Sequence, residues 1–150
     1  MLTIHAADEV LRTWDDPAPV RGGGVVVDGA LIAAVGPLTE LTERFPTARI
    51  RRWPGVLGPG KVHMGPLPDA PSPRERIHEV LKRGAVAVLA EHAATPELRA
   101  AAARGGVAVA AGGARLVALM ETGRADLAVF DPSGACIATV CAGRLVHRRR

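Results

Sequence analysis

Five histidines, two cysteines and a run of three glycines are the residues of this 150-residue chain with the chemistry to bind or react. His63 follows the step Pro59-Gly60-Lys61-Val62, and Glu91-His92 closes on the apolar run AVAVLA at 85–90. In parallel α/β structure, functional groups collect at the carboxyl ends of strands and in the loops that follow. A carboxylate and a neutral imidazole placed there can work as base and partner, or as two metal ligands. Bringing in His63 from a neighbouring strand would make three ligands with one open position, the arrangement of a catalytic zinc. The ordinary reading of Glu91-His92 is a solvated loop pair, because adjacent residues at a strand end point apart.

The other candidates read more simply. His5 stands at a strand end as an edge residue, His78 between Ile77 and Glu79 faces solvent from a helix, and His147 belongs to a basic tail. Cys136 and Cys141 lie five residues apart on one strand, so their side chains point to opposite faces and a mutual disulfide needs a sharp turn. Both read as buried, reduced thiols. Gly22-Gly23-Gly24 leads into a strand instead of joining a strand to a helix, which makes it a flexible lead-in and not a phosphate loop. The chain holds no H-E-x-x-H, C-x-x-C, G-x-S-x-G or P-loop pattern.

These residues need elements to position them. The N-terminal third reads as β structure: LTIHA and EVLRT are short runs, and VVV and LIAAV form a hairpin across the Asp28-Gly29 turn. PLTELTERFP is a short helix begun at Pro37 and stopped by Pro46. ARIRRWPGVLGPG returns to extended chain, with Ile50 facing inward between arginines and Trp53 as a plug. In the middle, Ser72, Pro73 and Glu75 make a capping box for a helix that buries Ile77, Val80 and Leu81 and ends at Gly84. Thr95, Pro96 and Gly105 bound a second helix, and AVAVLA and VAVAA are apolar strands of the parallel kind. RLVALM, RADLAVFD, ACIATVC and RLVHR complete the chain as further strands.

Composition excludes several roles. Aromatics are 3% of residues, too few to stack single-stranded bases. The net charge of +4 gathers at Arg49, Arg51 and Arg52 and at Arg148 to Arg150 without a nucleic-acid-binding motif, so it reads as surface and tail charge. No apolar run is long enough to span a bilayer, and the first twenty residues lack a signal-peptide pattern. The expectation is a cytoplasmic protein.

The segments GGGVVVDGALIAAVGPLTEL with PGVLGPGKV, and GRADLAVFDPSG with TVCAGRLVHR, resemble the opening and closing segments of the amidohydrolase superfamily, in particular its imidazolonepropionase-like members. The resemblance covers about residues 1–62 and 122–148. It implies an α+β fold in which residues 1–62 and 120–150 form a small composite β-sandwich. Residues 63–119 become a short βα/βα insert within the same single domain. The metal-bearing TIM barrel of the family is then largely missing, since about 60 residues stand where a barrel takes roughly 200 or more. Set on Pro59 to Met64, the family's H-x-H metal pair falls on Gly65 and Leu67, neither of which offers a lone pair. His63 lies two places earlier.

Three functions follow as expectations. The first is a non-catalytic amidohydrolase-like protein without cofactor, homodimeric, with Trp53, Val56 and Leu57 at its interface. The second is a small hydrolase of C–N bonds with one divalent metal, such as zinc, on a site rebuilt from His63, Glu91 and His92. The third is a binding module, either for a small molecule at the junction of insert and sandwich or for a partner protein.

Overall fold

The structure, a computed structural model, describes residues 1–111 and 117–149. It is a mixed α+β architecture, with no closed barrel among the described residues. A seven-stranded sheet runs in the order β10-β9-β8-β4-β1-β2-β3 and a three-stranded sheet in the order β5-β6-β7.

The large sheet joins both ends of the chain. Its N-terminal strands are β1 (Leu2–Val10), β2 (Val20–Asp28), β3 (Leu31–Pro37) and β4 (Arg49–Pro59). Its C-terminal strands are β8 (Leu127–Phe130), β9 (Cys136–Cys141) and β10 (Arg144–Arg148). β1 and β4 pair in parallel, and every other pairing in this sheet is antiparallel. The β2–β3 hairpin turns at Gly29, whose φ of 61° is the left-handed conformation that a two-residue loop demands.

The sheet curls until its outer hairpins meet. Ile32 donates to the Gly123 carbonyl and Thr122 to the Ile32 carbonyl, both at 2.8 Å, which ties β3 to the segment leading into β8. In the β9–β10 turn, Gly143 sits at φ 82°, and a Cβ there would collide with the Gly29 carbonyl. The curl encloses an aliphatic core of Val10, Val25, Val27, Ile32, Leu57, Leu127, Val129 and Val140, with Trp53 at its border. On the outer side, α1 (Leu38–Arg44) inserts Leu41 against Ile4, Val26 and Ala34.

Several expectations change here. LTIHA and the first two residues of EVLRT are one strand, because no turn residue interrupts them, and Leu11 to Thr13 lie beyond its end. The irregularity between Ala7 and Glu9 is a bulge at which Asp8 accepts the Gly55 N–H at 2.8 Å. Gly23 and Gly24 are not a lead-in but part of β2, paired with Ala7 and Ala6. A Cβ on Gly24 would stand 3.0 Å from Ile4 and 3.2 Å from Leu41, so glycine lets α1 lie close on the sheet. Ile50 is 37% exposed, whereas Trp53 and Leu57 take the inward positions of β4. His5 is no edge residue: β1 is central, and the ring is 4% exposed. Of the strand expected over RLVALM, Arg115 and Leu116 lie outside the described residues and Val117–Met120 adopt no strand. Leu119 instead donates its N–H to the Arg12 carbonyl and buries its side chain.

The smaller sheet carries the middle of the chain. β5 (Lys61–His63), β6 (Ala85–Leu89) and β7 (Ala108–Ala110) are parallel, joined by α2 (Pro73–Lys82) and α3 (Pro96–Gly105). Ser72 caps α2 by accepting the Glu75 N–H, and Thr95 caps α3 by accepting the Leu98 N–H, each at 3.2 Å. Ile77, Val80, Leu81, Val86, Val88, Leu98 and Ala102 fill the core between helices and sheet. Cys141 and Val146 of the large sheet join that core, and Thr139 of β9 donates its hydroxyl to the Leu81 carbonyl at 2.7 Å. Among the described residues, no helix is long and apolar enough to cross a membrane.

Candidate functional site

The passage from β4 into β5 positions the candidate site. Gly60 donates its N–H to the Asp126 carbonyl at 2.9 Å, and a Cβ at Gly60 would stand 2.6 Å from Val86. Only glycine lets the chain turn from one sheet into the other here. β5 then runs beside β6, with His63 opposite Val88. His63 and the segment after Leu89 therefore reach the same carboxyl edge of the small sheet.

His63 turns back on its own loop, with Nε2 2.9 Å from the Pro66 carbonyl oxygen. Glu91 and His92 lie in a single 3-10 turn (Ala90–His92), with a carboxylate oxygen of Glu91 4.0 Å from His92 Nε2. Glu91 is exposed. Among the described residues, no three His, Cys, Asp or Glu side chains come together as a set that could hold a metal ion. The structure thus brings Glu91 to His92 and leaves His63 with a backbone partner. Gly65 stands in the loop after β5, and Leu67 is 5% exposed, packed in the core beneath α2. Its side chain faces aliphatic neighbours, so the donor set of this stretch does not fit a metal.

Trp53 and Leu57 are 8% and 0% exposed within the core of the single chain, and Val56 is half-buried beside Phe130. The first two are covered before any second chain arrives.

Three side-chain groups escaped sequence reasoning. Lys61 holds its ammonium 4.7 Å from the Trp14 ring centre and 4.4 Å from that of Phe130, and those two rings meet edge to face at 5.3 Å. Trp14 is fixed by donating its indole N–H to the Pro59 carbonyl at 2.8 Å. A cleft of about 440 Å³ opens beside it, lined by Trp14, Asp15, Lys61, Met64 and Val117. Arg124 bonds Asp126 at 2.9 Å, the Cys141 sulfur at 3.1 Å and the Gly106 carbonyl. Burial works against the Arg124 charge, but the bond to Asp126 and the adjacent charges hold its pKa above the usual value. Burial also pushes both cysteine thiols up, so neither is a ready nucleophile. The third group is His5 with Trp53, whose indole N–H donates to His5 Nδ1 at 3.2 Å.

Residues 23–48, the hairpin and α1, match the family profile "Imidazolonepropionase-like composite domain, bacteria". Among solved structures, E. coli guanine deaminase superposes with a TM-score of 0.55 at 19% identity, over 81% of this chain and 39% of that one. Guanine deaminase from Bradyrhizobium japonicum gives 0.55 at 16% identity, over 75% and 35%. A. niger ochratoxinase gives 0.53 at 21% identity, over 75% and 31%.

The fold is similar to that of these three enzymes.

The chain spans 31% to 39% of the length of these three structures. No curated protein sequence matches it. The profile match falls within the seven-stranded sheet and α1, outside β5 to β7.

Proposed function

We propose that this chain is a non-catalytic amidohydrolase-like module, serving a structural or binding role. One observation carries the reading: the positions of the H-x-H pair are Gly65 and Leu67, and Leu67 is spent on the core of the βα part. A ligand at that position would face aliphatic side chains, and an uncompensated polar group buried there costs roughly 1–3 kcal/mol. The exposed Glu91 beside His92 offers two donors where a catalytic zinc takes three protein ligands.

The module acts through contacts. β7 has one unpaired edge among the described residues, with Val109 39% exposed on it. Open strand edges invite another strand, and two-fold pairing of β7 with its copy is the simplest closed assembly. A reducing cytoplasm suits the two unpaired thiols. The cleft at Trp14 and Lys61 is the place for a small-molecule ligand in this scheme.

Calorimetric titration with Zn²⁺ tests the reading. Heats no larger than those of a His63→Ala, His92→Ala double variant are expected. A stoichiometric site removed in the double variant would favour a metal-dependent hydrolase instead. Sedimentation of wild type against Val109→Lys tests the assembly: a dimer turned to monomer by the lysine supports pairing through β7, and an unchanged mass contradicts it.

A further inference from the structure

At one end of the curled sheet, three guanidinium groups gather over a buried polar pair. Arg49 and Arg51 alternate onto the same face of β4 as Trp53, and Arg51 lies opposite His5 across the parallel β1–β4 pairing. Arg148, at the end of β10, sets its guanidinium carbon 5.6 Å from the Trp53 ring centre. Among the described residues none of the three has a carboxylate partner, since the ion pairs are Lys82–Glu79, His92–Glu91 and Arg124–Asp126. Three like charges brought together unpaired cost free energy unless an anion sits between them. Burial and the charges of Arg49 and Arg148 hold the Arg51 pKa below its usual value, which is the same repulsion seen from one member.

The floor beneath them is also poised. His5 is 4% exposed and stacks on Trp53 with ring centres 6.4 Å apart and planes at 13°. Nδ1 accepts from the indole, so the neutral ring carries its proton on Nε2. Nε2 has no hydrogen-bond partner among the described residues, yet it is not sealed from solvent. It is a spare N–H donor beside Arg51.

The geometry points to a binding site for a small multivalent oxyanion, a phosphate or phosphate-ester group, held by Arg49, Arg51 and Arg148 over the His5–Trp53 pair. Guanidinium forks match phosphate oxygens two at a time, and an aromatic face holds one fork in place. This site is separate from the metal-site question and stands whether or not the non-catalytic reading does.

The test titrates the full chain with inorganic phosphate and with pyrophosphate at ionic strength matched by chloride, following the indole and imidazole resonances of Trp53 and His5 by NMR. Saturable shifts are expected, with the dissociation constant rising at least about tenfold (roughly 1.4 kcal/mol) in Arg51→Gln and in Arg148→Gln. Arg74→Gln, on α2, serves as the control for general charge and should bind as wild type does. Circular dichroism verifies that each variant is folded, and if one glutamine variant is not, the other decides. Shifts that never saturate, or an equal loss in Arg74→Gln, would overturn the site. Binding of a phosphodiester oligonucleotide with no response to free phosphate or pyrophosphate would overturn it too, since that is the behaviour of a polyanion surface.

Discussion

The seven-stranded sheet and the three-stranded sheet treat their edges in opposite ways. In the large sheet the outer strands are drawn together, with Gly143 against Gly29 and β3 bonded to the segment before β8. In the small sheet β7 ends the order with an open edge among the described residues. The dependence between them is also one-sided. Cys141, Val146 and Thr139 of the large sheet complete the core and helix ends of the small one. Among the described residues, the large sheet's own core of β1, β2, β3, β4, β8 and β9 residues takes nothing from α2 or α3. The large sheet therefore has a core of its own, and the βα units rest on it.

The contrast can be broken at several points. Leu57 is fully buried in the large core, so Leu57→Ala should lower unfolding free energy by about 2–5 kcal/mol. Denaturant unfolding read by Trp fluorescence and by circular dichroism should then shift together, since the small sheet rests on the large one.

Acid should act through His5 next. Burial first, and the Arg51 charge second, lower its pKa from 6.5 to about 4. The native state favours the neutral ring, while the unfolded ring takes up its proton near pH 6.5. This contribution is thus fully present above pH 6.5 and is lost as pH falls towards 4, by about 3 kcal/mol in total. Stability measured from pH 7 to 4 should fall less steeply in His5→Gln than in wild type.

Smaller effects separate the two hairpin turns. Gly29→Ala meets open space and should cost only the left-handed strain of about 1–2 kcal/mol, whereas Gly143→Ala adds a collision with the Gly29 carbonyl and should cost more. Comparison of their melting curves checks the order. In the small sheet, Ser72→Ala should cost about 1 kcal/mol by removing the α2 cap, measured by the same melts.

Much of this was legible in the chain because the signals are local. Ser72-Pro73 with Glu75, Thr95-Pro96 and Asp28-Gly29 each declare a cap or turn within four residues, and the structure places all three where expected. What stayed hidden needed the fold. His5 and Trp53 are 48 residues apart and meet only because β1 and β4 pair in parallel. Trp14 reaches Pro59 across 45 residues. Gly23 and Gly24 look like a flexible run until Leu41 of α1 is seen resting on them. At the candidate site, the lack of a metal-binding side chain at Gly65 and Leu67 was readable, whereas the turn of His63 towards Pro66 was not.

Native mass spectrometry of the untagged protein tests most directly the proposal that the chain works without a metal. The mass of two apo chains with no stoichiometric metal adduct is expected. One metal ion per chain, absent from His63→Ala and from His92→Ala, would contradict it.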